Sequence, residues 1–211
     1  MKTIIQKSRA AALVAMMLMA QSVSAQPPYP GAAPGLLPVL SEAQLGPEQL
    51  IRQGMDRLAG FLARSGQPAP GELRAFIERE LAFYFDFAYM ARWATGPLYP
   101  AMDEAQRSHF ATQFRQRFLS ALTRSLGVYT RPPPQIEVHR ARPGRSPNEV
   151  MVRTRVVPTK GYPVQLDFRF YRSRQGWKCF DVIADGSSAM AYYRNHYRNL
   201  AGHYGPEALT I

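Results

Sequence analysis

Residues 166–188 read LDFRFYRSRQGWKCFDVIADGSS. Leu166, Phe168 and Phe170 alternate with Asp167, Arg169 and Tyr171, the period-two pattern of a strand with one buried face. Residues 173–176 supply polar turn formers, and residues 177–183 read as the returning strand. Asp185-Gly186 breaks that strand, and Ser187 or Ser188 is placed to cap a following helix.

Upstream the chain changes period twice. Residues 149–157 alternate, with Val150, Val152, Thr154 and Val156 on one face, and residues 135–140 form a shorter strand. Residues 142–148 and 158–161 are turns. Together with residues 162–172 and the return strand these make a four-stranded antiparallel meander. Before it the spacing is helical. Residues 47–65 carry a stripe of Leu50, Gly54, Leu58, Phe61 and Leu62, and Pro47 suits a first helical position. Residues 71–81 repeat the pattern with Leu73, Phe76, Ile77 and Leu81. Asp86 is a natural N-cap for a short helix over 87–95, stopped by Gly96-Pro97. Residues 103–129 form a long helix through Phe110, Phe114, Phe118, Leu122, Leu126 and Tyr129, ended by Pro132, Pro133 and Pro134. Residues 188–204 close the chain as a helix.

Helices followed by a meander define an α+β fold: N-terminal helices packed on a four-stranded antiparallel sheet, with a closing C-terminal helix. An apolar cavity between helices and sheet is the natural ligand site.

The first 25 residues have the form of a secretory signal peptide. Lys2, Lys7 and Arg9 precede an apolar run over 10–20, and Val23 and Ala25 place cleavage after Ala25. That run is shorter than the roughly 20 residues a bilayer span needs. Residues 26–44 are a Pro-, Gly- and Ala-rich leader, and residues 45–211 form one domain. Cys179 is the single cysteine, so the exported chain is held by packing without an internal disulfide. The formal charge is +11; without Lys2, Lys7 and Arg9 the balance is 23 to 15, or +8. The arginines are dispersed, and an exported basic protein meets anionic headgroups before nucleic acid.

The pattern LDF-x(8)-W-x(3)-D-x(3)-DGSS resembles the C-terminal part of the MlaC family, periplasmic lipid-carrying proteins of Gram-negative bacteria. EL-x(2)-YFDFAYMARWATG resembles the family's aromatic-rich segment before its long helix. Residues 103–129 and Tyr192-Tyr193-Arg194-Asn195-His196-Tyr197 resemble its long and closing helices. The resemblance spans roughly residues 45–208. The Pro-rich leader, the Pro132–Pro134 run and the early C-terminus depart from it. It implies a monomeric periplasmic shuttle that takes a phospholipid between an outer-membrane lipoprotein complex and an inner-membrane substrate-binding ABC transporter complex, with no cofactor, no nucleic acid and no chemistry of its own.

The composition suits that role, since apolar and aromatic walls are what acyl chains require. The expected lipid-binding residues are Phe85, Tyr89, Trp93, Phe114, Phe118, Val152, Val164, Leu166, Phe168 and Val182. Ordinary core packing accounts for the same pattern. Arg92, Arg115 and Arg153 are candidates for a phosphate at the mouth, or else plain surface charge. A hopanoid or other polycyclic lipid fits the same walls. The alternative from another class is a cone-fold isomerase-like enzyme with Asp181 or Asp167 as a base in an apolar pocket; a third reading is an adaptor with a filled core and a basic docking face. His109, His139, His196 and His203 lack the i, i+4 spacing of a helical zinc pair, and no metal site is expected.

Overall fold

Each helix begins where the sequence supplies a partner for its first amides. The computed structural model describes residues 45–66, 68–127, 135–157 and 162–209; the expected signal peptide and leader, the end of the long helix and the 158–161 turn lie outside them. Helix α1 (Pro47–Ser65) starts at a proline, and the Gln49 side chain reaches back to the Gly46 amide at 2.8 Å. Helix α2 (Pro70–Phe76) starts likewise, with Glu72 accepting from the Ala69 amide at 3.1 Å, and runs on through a π turn over Ile77–Leu81. Asp86 caps α3 (Phe87–Thr95) by accepting from the Tyr89 amide. Asp103 and Gln106 bond each other's amides at the start of α4 (Glu104–Gly127). Ser188 caps α5 (Ala189–Tyr204) through the Ala191 amide at 3.0 Å.

The sheet contains the expected meander, with two short additions. Strands β1 (Gln135–Val138), β3 (Glu149–Val157), β4 (Val164–Ser173) and β5 (Gly176–Ala184) pair antiparallel in that spatial order. The two-residue strand β2 (Arg142–Pro143) pairs with β3, and β6 (Ser187–Ser188) pairs with β5. Asp185 and Gly186 both take positive φ, 45° and 83°, which makes the β5–β6 connection a two-residue hairpin whose twist matches its strands.

One irregularity decides which side chains face which way. Arg169 pairs with Asp181, but Phe170 pairs with Cys179, so Phe180 is an extra residue on β5. This bulge keeps Cys179, Val182 and Ala184 on the side of Phe170, Phe168 and Leu166. Beyond β5, Phe85 bridges to Cys179 in parallel and the Asp86 amide donates to the Cys179 carbonyl at 3.2 Å, so the chain entering α3 covers that edge. No helix among the described residues is long and apolar enough to cross a membrane.

Candidate functional site

The register fixes one continuous apolar sheet face. Val150, Val152, Thr154 and Val156 stand opposite Phe170, Phe168, Leu166 and Val164, and Val182 and Ala184 complete the rows on β5. Thr154, the polar member, donates its hydroxyl to the Leu166 carbonyl at 3.0 Å and leaves the face apolar. Val156, Val164, Leu166 and Ala184 form a small cluster of their own, and Met55 of α1, Ile136 and Phe168 pack against it. Val152, Phe170, Cys179 and Val182 belong to the main core with Leu50, Leu58 and Leu62 of α1.

Helix α1 is pinned over this face by a few polar contacts. Arg52 donates to the Val138 carbonyl at 3.1 Å, and Glu48 accepts from the Ala141 amide at 2.6 Å. Tyr84 donates to Gln53 at 3.1 Å, and Arg57 pairs with Glu80 at 3.3 Å.

The ten expected wall residues fall into three groups. Val152, Val164, Leu166, Phe168 and Val182 share the apolar face. Phe85, Phe114 and Phe118 form an aromatic column in the helix layer: Phe85 lies 5.2 Å from Phe118 in a T-shaped pair, and Phe114 stacks at 6.2 Å on Phe118 and meets Tyr193 of α5 at 5.0 Å. Tyr89 and Trp93 meet the opposite face. Tyr89 stacks on Tyr171 at 4.1 Å, and both Tyr89 and Trp93 pack on Phe180. Five of the ten therefore stand on the sheet face, three form a column in the helix layer, and Tyr89 and Trp93 reach the other side of β5, while the main core draws members of all three groups together. Phe114, Val152 and Leu166 are fully buried, in direct contact with their neighbours.

The three arginines have different surroundings. Arg92 is exposed. Arg115 stands 5.7 Å over the Phe87 ring and lines an open groove of about 570 Å³ with Tyr99, Glu104, Arg107 and Ala111; none of the expected wall residues lines it. Arg153 is held by both carboxylate oxygens of Asp167, at 2.9 and 3.1 Å, and this bond raises its pKa above the usual guanidinium value.

The carboxylates of the enzyme reading are fully committed. Asp181 is 0% exposed; it accepts from the Met190 amide at 3.0 Å, the Ser188 hydroxyl at 2.7 Å and Arg169 at 3.3 Å. Arg169 also reaches Glu149 at 3.3 Å and lies over the Phe180 ring at 4.6 Å and the Trp93 ring at 5.4 Å. Arg194 stands over Trp93 as well, at 5.1 Å, so two guanidinium groups contact one indole. Asp167 accepts from Arg153 and from the side-chain amide Nε2 of Gln165 at 3.1 Å. Tyr171 donates to Asp86, and burial together with that bond pushes its pKa up. Burial likewise pushes the Cys179 thiol up, which keeps it protonated and unreactive. Among the described residues no three of His, Cys, Asp and Glu group as metal ligands.

Met55 and Phe180 were missing from the sequence-level set. Met55 had a signal, lying four residues after Ile51 and three before Leu58. Phe180 had none, because a bulge leaves no mark in a hydrophobic run.

Two comparisons bear on this arrangement. The family model described as MlaC protein matches residues 55–210. The fold is similar to the solved structure of the phospholipid-binding protein from Ralstonia solanacearum, determined in complex with a phospholipid. The two share 18% sequence identity and a TM-score of 0.66, over 77% of this chain and 92% of that one.

Proposed function

Because the chain belongs to the MlaC family, we propose that it is a periplasmic phospholipid carrier, passing lipid between an inner-membrane ABC transporter complex and an outer-membrane lipoprotein complex. In this reading residues 1–25 direct export and are removed, residues 26–44 are a leader, and residues 45–211 carry the lipid.

The observation that carries the reading is the apolar face of β3, β4 and β5 beneath α1. Among the described residues its second cluster, Val156, Val164, Leu166 and Ala184, is buried under Met55 of α1, a flexible thioether, with Ile136 and Phe168 packed beside it. Acyl tails enter by displacing Met55 and the helix that bears it, and they replace its contacts with their own. Each buried methylene contributes about 0.8 kcal/mol, so two tails supply roughly ten kcal/mol or more before ordering costs. That gain works against the polar contacts that pin α1, each contributing about 1 kcal/mol, and against the apolar packing of the helix, whose Leu50, Ile51, Leu58 and Leu62 are buried in the main core. Few headgroup contacts are then required. The commitment of Asp181 and Asp167 to arginine and amide partners supports binding without turnover.

The test is mass spectrometry of lipid extracted from the mature chain, purified from the periplasm without detergent. Near-stoichiometric phospholipid that survives size exclusion supports the carrier. Protein that is folded and free of lipid would refute it.

A further inference from the structure

Charge is unevenly spread over the helices. Between Ala105 and Gly127, α4 contains Arg107, Arg115, Arg117 and Arg124 and no aspartate, glutamate or lysine. Helix α5 contains Arg194 and Arg198 and again no acid and no lysine. The ion pairs among the described residues lie elsewhere, within α1, α2, the π turn and the sheet. The nearest carboxylates along the chain are Asp103 and Glu104 before the run and Glu137 after it, and Asp185 before α5 and Glu207 beyond it.

The two helices meet through the rings of Phe110 and Phe114 of α4 and Tyr193 and Tyr197 of α5, with ring separations of 4.8 and 5.0 Å for the closest pairs. Arg117 and Arg124 are seven residues apart and so share one stripe of α4. Both are exposed and close enough to Tyr193 to act on it electrostatically, as Arg117 is to Tyr197. Tyr192 is 66% exposed beside them, 5.4 Å from Tyr193 and stacked at 6.3 Å on the exposed His196. The seam therefore presents arginines among exposed tyrosine and histidine rings.

We propose that the α4–α5 seam, centred on Arg117, Arg124 and Tyr192, docks a carboxylate-rich protein surface on one of the membrane complexes with which the chain exchanges lipid. The proposal rests on the carrier reading, since a carrier must be recognised to be emptied. Arginine and tyrosine are the residues that protein interfaces favour, while lysine is depleted from them. A bilayer is the poorer occupant. Among the described residues the large exposed hydrophobic side chains are three tyrosines, Tyr162, Tyr192 and Tyr204, with no leucine, phenylalanine or tryptophan to insert. An interface of rim charges also associates quickly and releases readily, as repeated exchange requires.

The experiment measures binding of the lipid-loaded mature chain to each of the two membrane complexes, purified from the same bacterium, by surface plasmon resonance at low and high salt. Four proteins are compared: the natural chain, Arg117→Glu/Arg124→Glu, the milder Arg117→Gln/Arg124→Gln, and Arg142→Glu/Arg145→Glu, which makes the same charge change at exposed positions around β2. Lipid content and thermal unfolding are recorded for each. At least one complex is expected to lose about tenfold or more in affinity with the seam reversal, less with the neutral pair, and little with the β2 control, the differences shrinking as salt rises. Equal losses from the seam and control variants, or no loss from either, would overturn the docking face. So would failure of the natural chain to bind either complex, or seam-dependent capture by vesicles containing phosphatidylglycerol in place of the complexes. The lipid content reports separately on the carrier reading, because seam variants that keep their phospholipid leave that reading intact whatever the binding result.

Discussion

Replacing Asp181 with asparagine separates a structural carboxylate from a catalytic one. The substitution keeps one carbonyl oxygen for the Met190 amide and thus the start of α5. Ser188 can rotate its hydroxyl to accept from the new amide, while still accepting from Ala191. Arg169 has no such adjustment, because an amide NH2 facing a guanidinium sets donor against donor. Breaking a buried ion pair costs about 3–5 kcal/mol. Arg169 keeps Glu149 and its contacts with Phe180 and Trp93, which places the cost near the lower end, about 3 kcal/mol. At roughly 2–4 °C per kcal/mol for a domain of this size, the melting temperature falls by about 6–12 °C. Circular dichroism at neutral pH measures the melt, and mass spectrometry measures phospholipid per folded molecule, which is expected to stay unchanged. A melting temperature within about 1 °C of the natural chain would refute the ion-pair argument. Loss of lipid from an equally stable variant would instead place Asp181 in contact with the ligand. Glu149→Gln in the same background supplies a cycle: the two losses are expected to couple by more than about 0.5 kcal/mol, since both act on one guanidinium.

Three further outcomes are expected. Phe168→Ala removes a half-buried ring from the proposed tail-binding face and is expected to weaken retention of a fluorescent phospholipid by about five- to tenfold, the equivalent of roughly 1–1.5 kcal/mol of lost apolar contact, with the fold intact. Gly96→Ala is expected to cost about 1–2 kcal/mol in urea unfolding, because Gly96 has φ of 56° and an added Cβ would sit 2.8 Å from the Arg194 guanidinium, forcing that side chain off Trp93. Alkaline pH is expected to destabilise the chain. Burial lifts Tyr193 from 10.0 to about 12, so its contribution is complete below pH 10 and is lost as pH rises through about 12; Tyr193→Phe should flatten that part of a stability-against-pH curve.

The order of elements was legible because each boundary has a local chemical cause. Residue type alone marks Asp86 as a cap and offers Ser187 or Ser188 as another; Asp86 and Ser188 each accept from the amide three residues on. Residues 149–157 were read as a strand from strict alternation, and the same residues form β3. Where the cause is not local, the reading stopped. The π turn over Ile77–Leu81 continues a helical stripe without altering its composition. The bulge at Phe180 is a choice between two registers, and only the packing of Phe180 against Tyr89 and Trp93 on one side, with Cys179 beside Phe170 on the other, decides it. A straight alternation from Trp177 would have grouped Cys179, Asp181 and Ile183 on one face; the bulge instead separates Cys179 from Asp181.

The expected site was less legible for a reason intrinsic to apolar ligands. A catalytic base or a metal ligand differs in kind from the core around it, whereas a wall for acyl tails is built from the same valine, leucine and phenylalanine that fill any interior. Val152 and Val164 illustrate this. Both lie on the apolar face, Val152 in the main core and Val164 in the small cluster under Met55. Nothing in their neighbouring residues distinguishes them. What does is the nature of the cover among the described residues: a cluster packed under a flexible methionine, with Ile136 and Phe168 beside it, costs less to open than one closed by interlocked rings such as Phe110, Phe114 and Tyr197. On that argument Val156, Val164, Leu166 and Ala184 should give up their cover first, and substitutions at Met55 should change lipid exchange rates more than substitutions at Val152 change them.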